Sequence, residues 1–138
     1  MTPAQRDNLR RLLSPRHIAF VGGRDCLTAI GEAERRGFTG AIWPVNPSRS
    51  EMKGHACFAS VADLPEAPDA VFLAVPPAAA IEVTADLARR GAGGIVCYTA
   101  GFREAGGDGA AMEAELVAAA GDLALMLDVI CAPDAREW

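Results

Sequence analysis

The sequence predicts an α/β fold: an open, mostly parallel sheet of about five strands with helices on both faces. Three observations carry this expectation. Short apolar runs alternate with helix-like stretches along the whole chain. The runs are nearly continuous in apolar character, as in strands covered on both faces. The connections between them are long enough for crossovers, which force parallel pairing.

Each element has its own signals. Thr2-Pro3 is a helix start, with a capping side chain followed by proline at the first helical position. Leu9, Leu12 and Leu13 form the apolar stripe of that helix, Ser14-Pro15 ends it, and Arg10, Arg11 and Arg16 are expected on a solvated face. The first strand runs from about His17 to Val21 and enters Gly22-Gly23-Arg24-Asp25. Leu27 to Arg36 reads as a helix that turns Leu27, Ile30 and Ala33 to the sheet and stops at Gly37. Ala41-Ile42-Trp43-Pro44-Val45 is the second strand, and Pro44 puts it at or near an edge. Asn46-Pro47-Ser48-Arg49 is a turn. Glu51 to Ala62 reads as an irregular connection, extended near Cys57-Phe58 and helical for a turn from Ser60.

The third strand is Ala70-Val71-Phe72-Leu73-Ala74-Val75. Pro76-Pro77 then opens a helix with Ile81, Val83, Ala85 and Leu87 for packing, closed by Gly91. Gly94-Ile95-Val96-Cys97-Tyr98 is the fourth strand and Thr99 to Glu104 its exit loop. Ala110 to Ala120 is a helix packing through Met112, Leu116 and Val117, and Leu123 to Leu127 is the fifth strand. The pattern is that of a Rossmann-like sheet, whose ligand crevice lies at the carboxyl ends of the strands, where strand order reverses.

At 138 residues the chain suits one domain, residues 1–138, with an atypical tail at 127–138. Its net charge of -5 argues against a nucleic-acid binder. No apolar run is long enough to span a bilayer, and the start is no signal peptide. Cys26, Cys57, Cys97 and Cys131 are widely spaced, as expected of buried reduced thiols in a cytoplasmic protein. His17 and His55 do not sit at zinc-ligand spacing.

Four loops meet the predicted ligand edge: Gly22 to Asp25, Asn46 to Arg49, Pro76-Pro77, and Thr99 to Glu104. Glycine lets backbone approach a ligand, and the next helix offers free N–H groups with the positive end of its dipole. The glycine pattern is incomplete for a dinucleotide, because Gly31 lies too far into the helix to serve as the third glycine. The second strand ends in Asn46, not in an acidic residue for a ribose hydroxyl. Arg24 and Arg49 are candidates for phosphate contacts. Pro76-Pro77 offers a rigid apolar wall, and the backbone around Tyr98, Thr99 and Ala100 could hold an amide-containing arm. Glu104 is an acid or base by residue type only, since no nucleophile elbow, phosphate-loop lysine or metal-binding helix motif accompanies it.

Five stretches in order carry a family resemblance. They are Ser14 to Gly23, Gly37-Phe38-Thr39-Gly40 with Trp43 to Pro47, Ser60 to Pro65, Ala74-Val75-Pro76, and Ala100 to Glu104. From about Leu12 to Leu125 the chain resembles the N-terminal CoA-binding domain of NDP-forming acyl-CoA synthetases, relatives of the succinyl-CoA synthetase alpha subunit. The resemblance implies coenzyme A or acyl-CoA as cofactor. It puts Gly22, Gly23, Arg24 and Asp25 against the CoA phosphates. Asn46, Pro47 and Arg49 form the basic turn after strand two, and Val75 and Pro76 line the cofactor. Tyr98, Thr99 and Ala100 lie beside the pantetheine arm. Two departures qualify it. Where the family continues into Gly-Pro-Asn-Cys, this chain has Leu127-Asp128-Val129-Ile130-Cys131-Ala132-Pro133, with only Cys131 in common. The family's phosphorylated histidine and ATP-grasp domain have no counterpart here, so the chain alone is not expected to make acyl-CoA.

The leading expectation is a CoA-binding module acting with further domains or a separate partner chain, with a homodimer as a further option. Two alternatives stay open. One is an NAD(P)-binding sensor or oxidoreductase domain. The other is a degenerate interaction domain that uses apolar residues such as Trp43 and Trp138.

Overall fold

A computed structural model describes residues 1–99, 101–102 and 106–127 of the chain. Helix α1 (Pro3–Leu13) leads into β1 (His17–Gly22), α2 (Arg24–Arg35) and β2 (Ala41–Val45). A two-strand hairpin, β3 (Glu51–Met52) and β4 (His55–Ala56), and a 3-10 turn (Val61–Asp63) connect to β5 (Ala70–Ala74). Helix α3 (Pro77–Arg90), β6 (Gly94–Cys97), α4 (Gly109–Ala120) and β7 (Ala124–Leu127) complete the described order.

The main sheet is parallel throughout, in the order β2-β1-β5-β6-β7. The chain leaves β1 toward β2 on one side and returns to β5 on the other. Strand order therefore reverses between β1 and β5, the switch point where open α/β sheets bind ligands. Strand alternation divides the core. Ala19, Val21, Val71, Leu73, Ile95 and Cys97 join Ala80 and Leu87 of α3 and Leu116 and Ala120 of α4 in one cluster. Phe20 lies on the other face with Cys26 and Ile30 of α2 and Met52 of the hairpin. Helix α1 packs over β5, β6 and β7.

The start of α1 and the edge position of β2 follow the sequence signals. Thr2 and Gln5 form a reciprocal cap on α1, with Gln5 N–H donating to Thr2 Oγ1 at 3.1 Å and Thr2 N–H to Gln5 Oε1 at 2.9 Å. Pro44 sits on the outer strand, and its carbonyl accepts from Phe58 N–H at 2.9 Å. That contact and a bridge between Val45 and Phe58 cover part of the open edge.

Four expectations are corrected. The connection after β2 contains a hairpin whose tip, Lys53-Gly54, takes positive φ at both residues (51° and 82°). Arg11 and Arg16 do not simply face water. Arg11 Nε donates to Asp69 Oδ1 at 2.7 Å, and Arg16 donates to Oδ2 from Nε and from its backbone N–H, each at 2.9 Å. The apolar stripes are narrower than predicted, because Leu13 and Val117 are 69% and 55% exposed while Leu12 and Leu116 are buried. Trp43 is half-buried and stacks on His17 with ring centroids 4.6 Å apart, so it is no free apolar anchor. Cys131, Trp138 and the rest of 128–138 lie outside the described residues.

Candidate functional site

The four predicted loops converge on the carboxyl edge of the sheet and brace one another there. At the switch point, Gly22 is buried with φ +150°, and a Cβ built on it would lie 2.5 Å from Ala74 O and 3.1 Å from Cys26 Sγ. Only glycine lets the end of β1 pass this close to the end of β5. The second loop ties to the first through Asn46, which is 1% exposed. Its Nδ2 donates to Gly22 O at 2.9 Å, while its Oδ1 accepts from Ser48 N–H at 2.7 Å and Arg49 N–H at 3.1 Å. A carboxylate here could not donate to that carbonyl. The residue that argued against a dinucleotide in the sequence is thus the strut of the turn.

The third and fourth loops are linked in the same way. Thr99, 3% exposed, donates from Oγ1 to Val75 O at 2.8 Å, and Tyr98 N–H donates to Leu73 O at 2.7 Å. A Cβ on Gly101, φ +109°, would sit 2.8 Å from Pro77 Cγ. Nothing local in the sequence marks these braces, since they join residues 24 or 25 positions apart. The hydrogen-bonding potential of polar residues at adjacent strand ends is the signal that could have suggested them.

Of the predicted site residues, Asn46 and Thr99 therefore have inward-facing side chains. Arg24 and Pro76 are exposed, and Asp25, Arg49 and Tyr98 are half-buried. Pro47 is exposed, while Gly23 and Val75 are buried. Tyr98 packs on Phe72 with centroids 5.6 Å apart. Ala100, Arg103 and Glu104 fall outside the described residues.

The first turn enters α2 directly. Gly23 is the N-cap and has no side chain to occupy the helix start, with Arg24 and Asp25 opening the first turn. Burial pushes the Cys26 thiol up to about 12, with Asp25 and Cys57 adding and Arg49 opposing. Burial also raises Cys57, again against Arg49. Neither thiol is activated as a nucleophile. Arg49 belongs to the turn that Asn46 ties to Gly22, since its N–H and the Gly22 carbonyl share that one side chain. Gly31 faces the Lys53 side chain, 3.7 Å from a built Cβ, and so does not serve the helix–strand packing of a third dinucleotide glycine. Among the described residues no cluster of three or more His, Cys, Asp or Glu could hold a metal ion, and no helix is long and apolar enough to cross a membrane.

The arrangement is a braced sheet edge at the switch point, with a glycine turn and a helix start open at the surface, the place where open α/β sheets bind ligands. Comparison with known proteins agrees. The family model described as CoA binding domain matches residues 16–130. A trans-feruloyl-CoA synthase from an unknown prokaryotic organism is 38% identical over 123 residues, covering 86% of this chain and 17% of the relative. Acetate–CoA ligase [ADP-forming] II from Archaeoglobus fulgidus is 33% identical over 111 residues, covering 77% of this chain and 16% of the relative. The apo structure of the dinucleotide-forming acetyl-coenzyme A synthetase 1 of Ca. Korarchaeum cryptofilum superposes with a TM-score of 0.76 at 30% identity, over 86% of this chain and 27% of that one. The chain thus spans only about a sixth of the curated relatives it matches. It belongs to the CoA binding domain family, in the form found in NDP-forming acyl-CoA synthetases.

Proposed function

We propose that this chain is the CoA- or acyl-CoA-binding module of an acyl-CoA synthetase, working with catalytic parts on further domains or on a separate chain, in the cytoplasm. The observation that carries this reading is the brace from Asn46 to Gly22 at the β1/β5 switch point. It holds a glycine turn and a helix start open toward an anionic ligand without a side chain in the way. In this reading the CoA phosphates lie along residues 22–25, where N–H groups and the α2 dipole favour negative charge. Arg24 and Arg49 add charge-assisted hydrogen bonds. Val75 and Pro76 form the wall beside the cofactor, and Tyr98 and the backbone of Thr99 flank the pantetheine arm. No group among the described residues is poised to form or break an acyl bond, so the module binds and presents CoA while chemistry occurs elsewhere.

The test compares CoA with pantetheine, which lacks the phosphates. Arg49→Ala is expected to weaken CoA about tenfold and leave pantetheine unchanged. Equal affinity of the variant and the wild type for CoA would count against phosphate binding at this turn. A nicotinamide reading has less support, because Asn46 and Gly31 both do work that a dinucleotide site assigns otherwise.

A further inference from the structure

The β3–β4 hairpin begins two residues after Arg49 and lies against α2, the helix whose start faces the ligand edge. Two strands of two residues each are too short to hold a shape by themselves. The hairpin takes its order from the helix. Met52 is 1% exposed and packs with Cys26 and Ile30 of α2 and Phe20 of β1. Lys53 crosses the helix at Gly31, where a built Cβ would lie 3.7 Å from its Cε and Nζ. His55 Nε2 lies 3.3 Å from Glu34 Oε2. Ile30, Gly31 and Glu34 are spaced to share one side of α2, so the three contacts form a single seat.

That seat bears on Arg49 from one side. Ser50 O accepts from Cys57 N–H at 3.0 Å, which closes the base of the hairpin beside Arg49. From the other side, the Arg49 N–H donates to Asn46 Oδ1 at 3.1 Å, and Asn46 is tied to Gly22. The Arg49 backbone is bracketed between the switch point and the hairpin. Both brackets end on the elements that make the first turn, β1 and α2. An arginine on a free loop loses backbone and rotamer freedom when it meets a ligand, whereas one on a bracketed backbone has lost the backbone part already.

We propose that the β3–β4 hairpin is a positioning element for the phosphate end of CoA, with Met52 as the residue that seats it on α2 and Arg49 as the residue through which it acts. The inference rests on the CoA reading above and deepens it. Gly31, too far along α2 for a dinucleotide turn, is where the hairpin tip crosses the helix.

Titration of the full chain with CoA and with pantetheine tests it, using hairpin variants alone and combined with Arg49→Ala. Met52→Ala empties the seat and is expected to weaken CoA about fivefold with pantetheine unchanged. Met52→Leu refills the seat and is expected to restore wild-type affinity. Gly54→Val acts from outside the core. Gly54 is exposed, with φ +82° and nothing within 4 Å of a built Cβ, so a β-branched residue there strains the hairpin tip alone. It is expected to weaken CoA about threefold, even where Met52→Ala does not fold. With Arg49→Ala already present, neither Met52→Ala nor Gly54→Val is expected to weaken CoA further, because the hairpin acts only through that side chain. Folded hairpin variants with wild-type CoA affinity would overturn the inference. So would variants that weaken CoA and pantetheine equally, or full additivity with Arg49→Ala, since either marks a general loss of structure. A wild-type chain that binds no CoA refutes the proposed function and the hairpin's role together, whereas CoA binding that responds to Arg49→Ala and not to the hairpin variants refutes the hairpin alone.

Discussion

Gly22→Ala is expected to melt about 10 °C below the wild-type chain, a loss of about 3 kcal/mol, and to lose most of its CoA affinity. The new methyl would lie 2.5 Å from Ala74 O and 3.1 Å from the Ala74 carbonyl carbon. Both are backbone atoms of a central strand and cannot rotate away. Relief requires moving β1 from β5 at the switch point, which also pulls Gly22 O from Asn46 Nδ2. Gly37→Ala is the control. Gly37 also has positive φ, +86°, but nothing lies within 4 Å of its built Cβ. Backbone strain alone is expected to cost it about 1 kcal/mol. Thermal melts that place both variants within a degree or two of each other would show that the close approach at Gly22 does not matter.

Asp69→Asn is expected to cost about 3 kcal/mol while leaving CoA affinity intact. Asp69 is 1% exposed at the amino end of β5, opposite the ligand edge. Its carboxylate joins α1 through Arg11 to the start of β1 through Arg16, and Arg11 also donates to Gly91 O at 2.9 Å. His17 Nδ1 accepts from the Asp69 N–H at 2.9 Å, with its Nε2 3.1 Å from Glu66 Oε1. Burial by itself would raise the Asp69 carboxyl, but the hydrogen bonds from Arg16 and Arg11 outweigh it and hold the group well below the usual carboxylate range. A pKa depressed in the folded state stabilises above the unfolded value, and the stability is lost as pH falls toward the folded value. The gap in melting temperature between wild type and Asp69→Asn is therefore full at pH 7 and narrows below about pH 4. A gap that stayed constant from pH 7 to pH 3 would contradict an ionised, arginine-held Asp69.

These two sites show what the sequence could and could not convey. Gly22 was legible because local pattern determines it: an apolar run, two glycines and a helix start are contiguous. Parallel pairing followed from the alternation of strands and helices, and the edge place of β2 from Pro44. Asp69 was not legible, since its partners Arg11 and Arg16 lie 58 and 53 residues away and nothing local marks a lone aspartate after Pro68. The basic cluster looked solvated for that reason. Asn46 is legible by position at the end of strand two, but its brace is not, because the carbonyl it serves is 24 residues distant. The hairpin at β3 and β4 escaped notice because two-residue strands carry no period and Lys53-Gly54 is a weaker turn signal than Asn-Gly. Leu13 and Val117 continue a helical apolar pattern past the surface it covers, and the pattern alone does not say where the neighbouring element stops.

Calorimetric titration of the wild-type chain with CoA and, separately, with NADH measures the ligand preference of the braced turn directly. The expected result is saturable CoA binding at a single site, displaced by acetyl-CoA, with no heat from NADH. Saturable NADH binding with no response to CoA would contradict it.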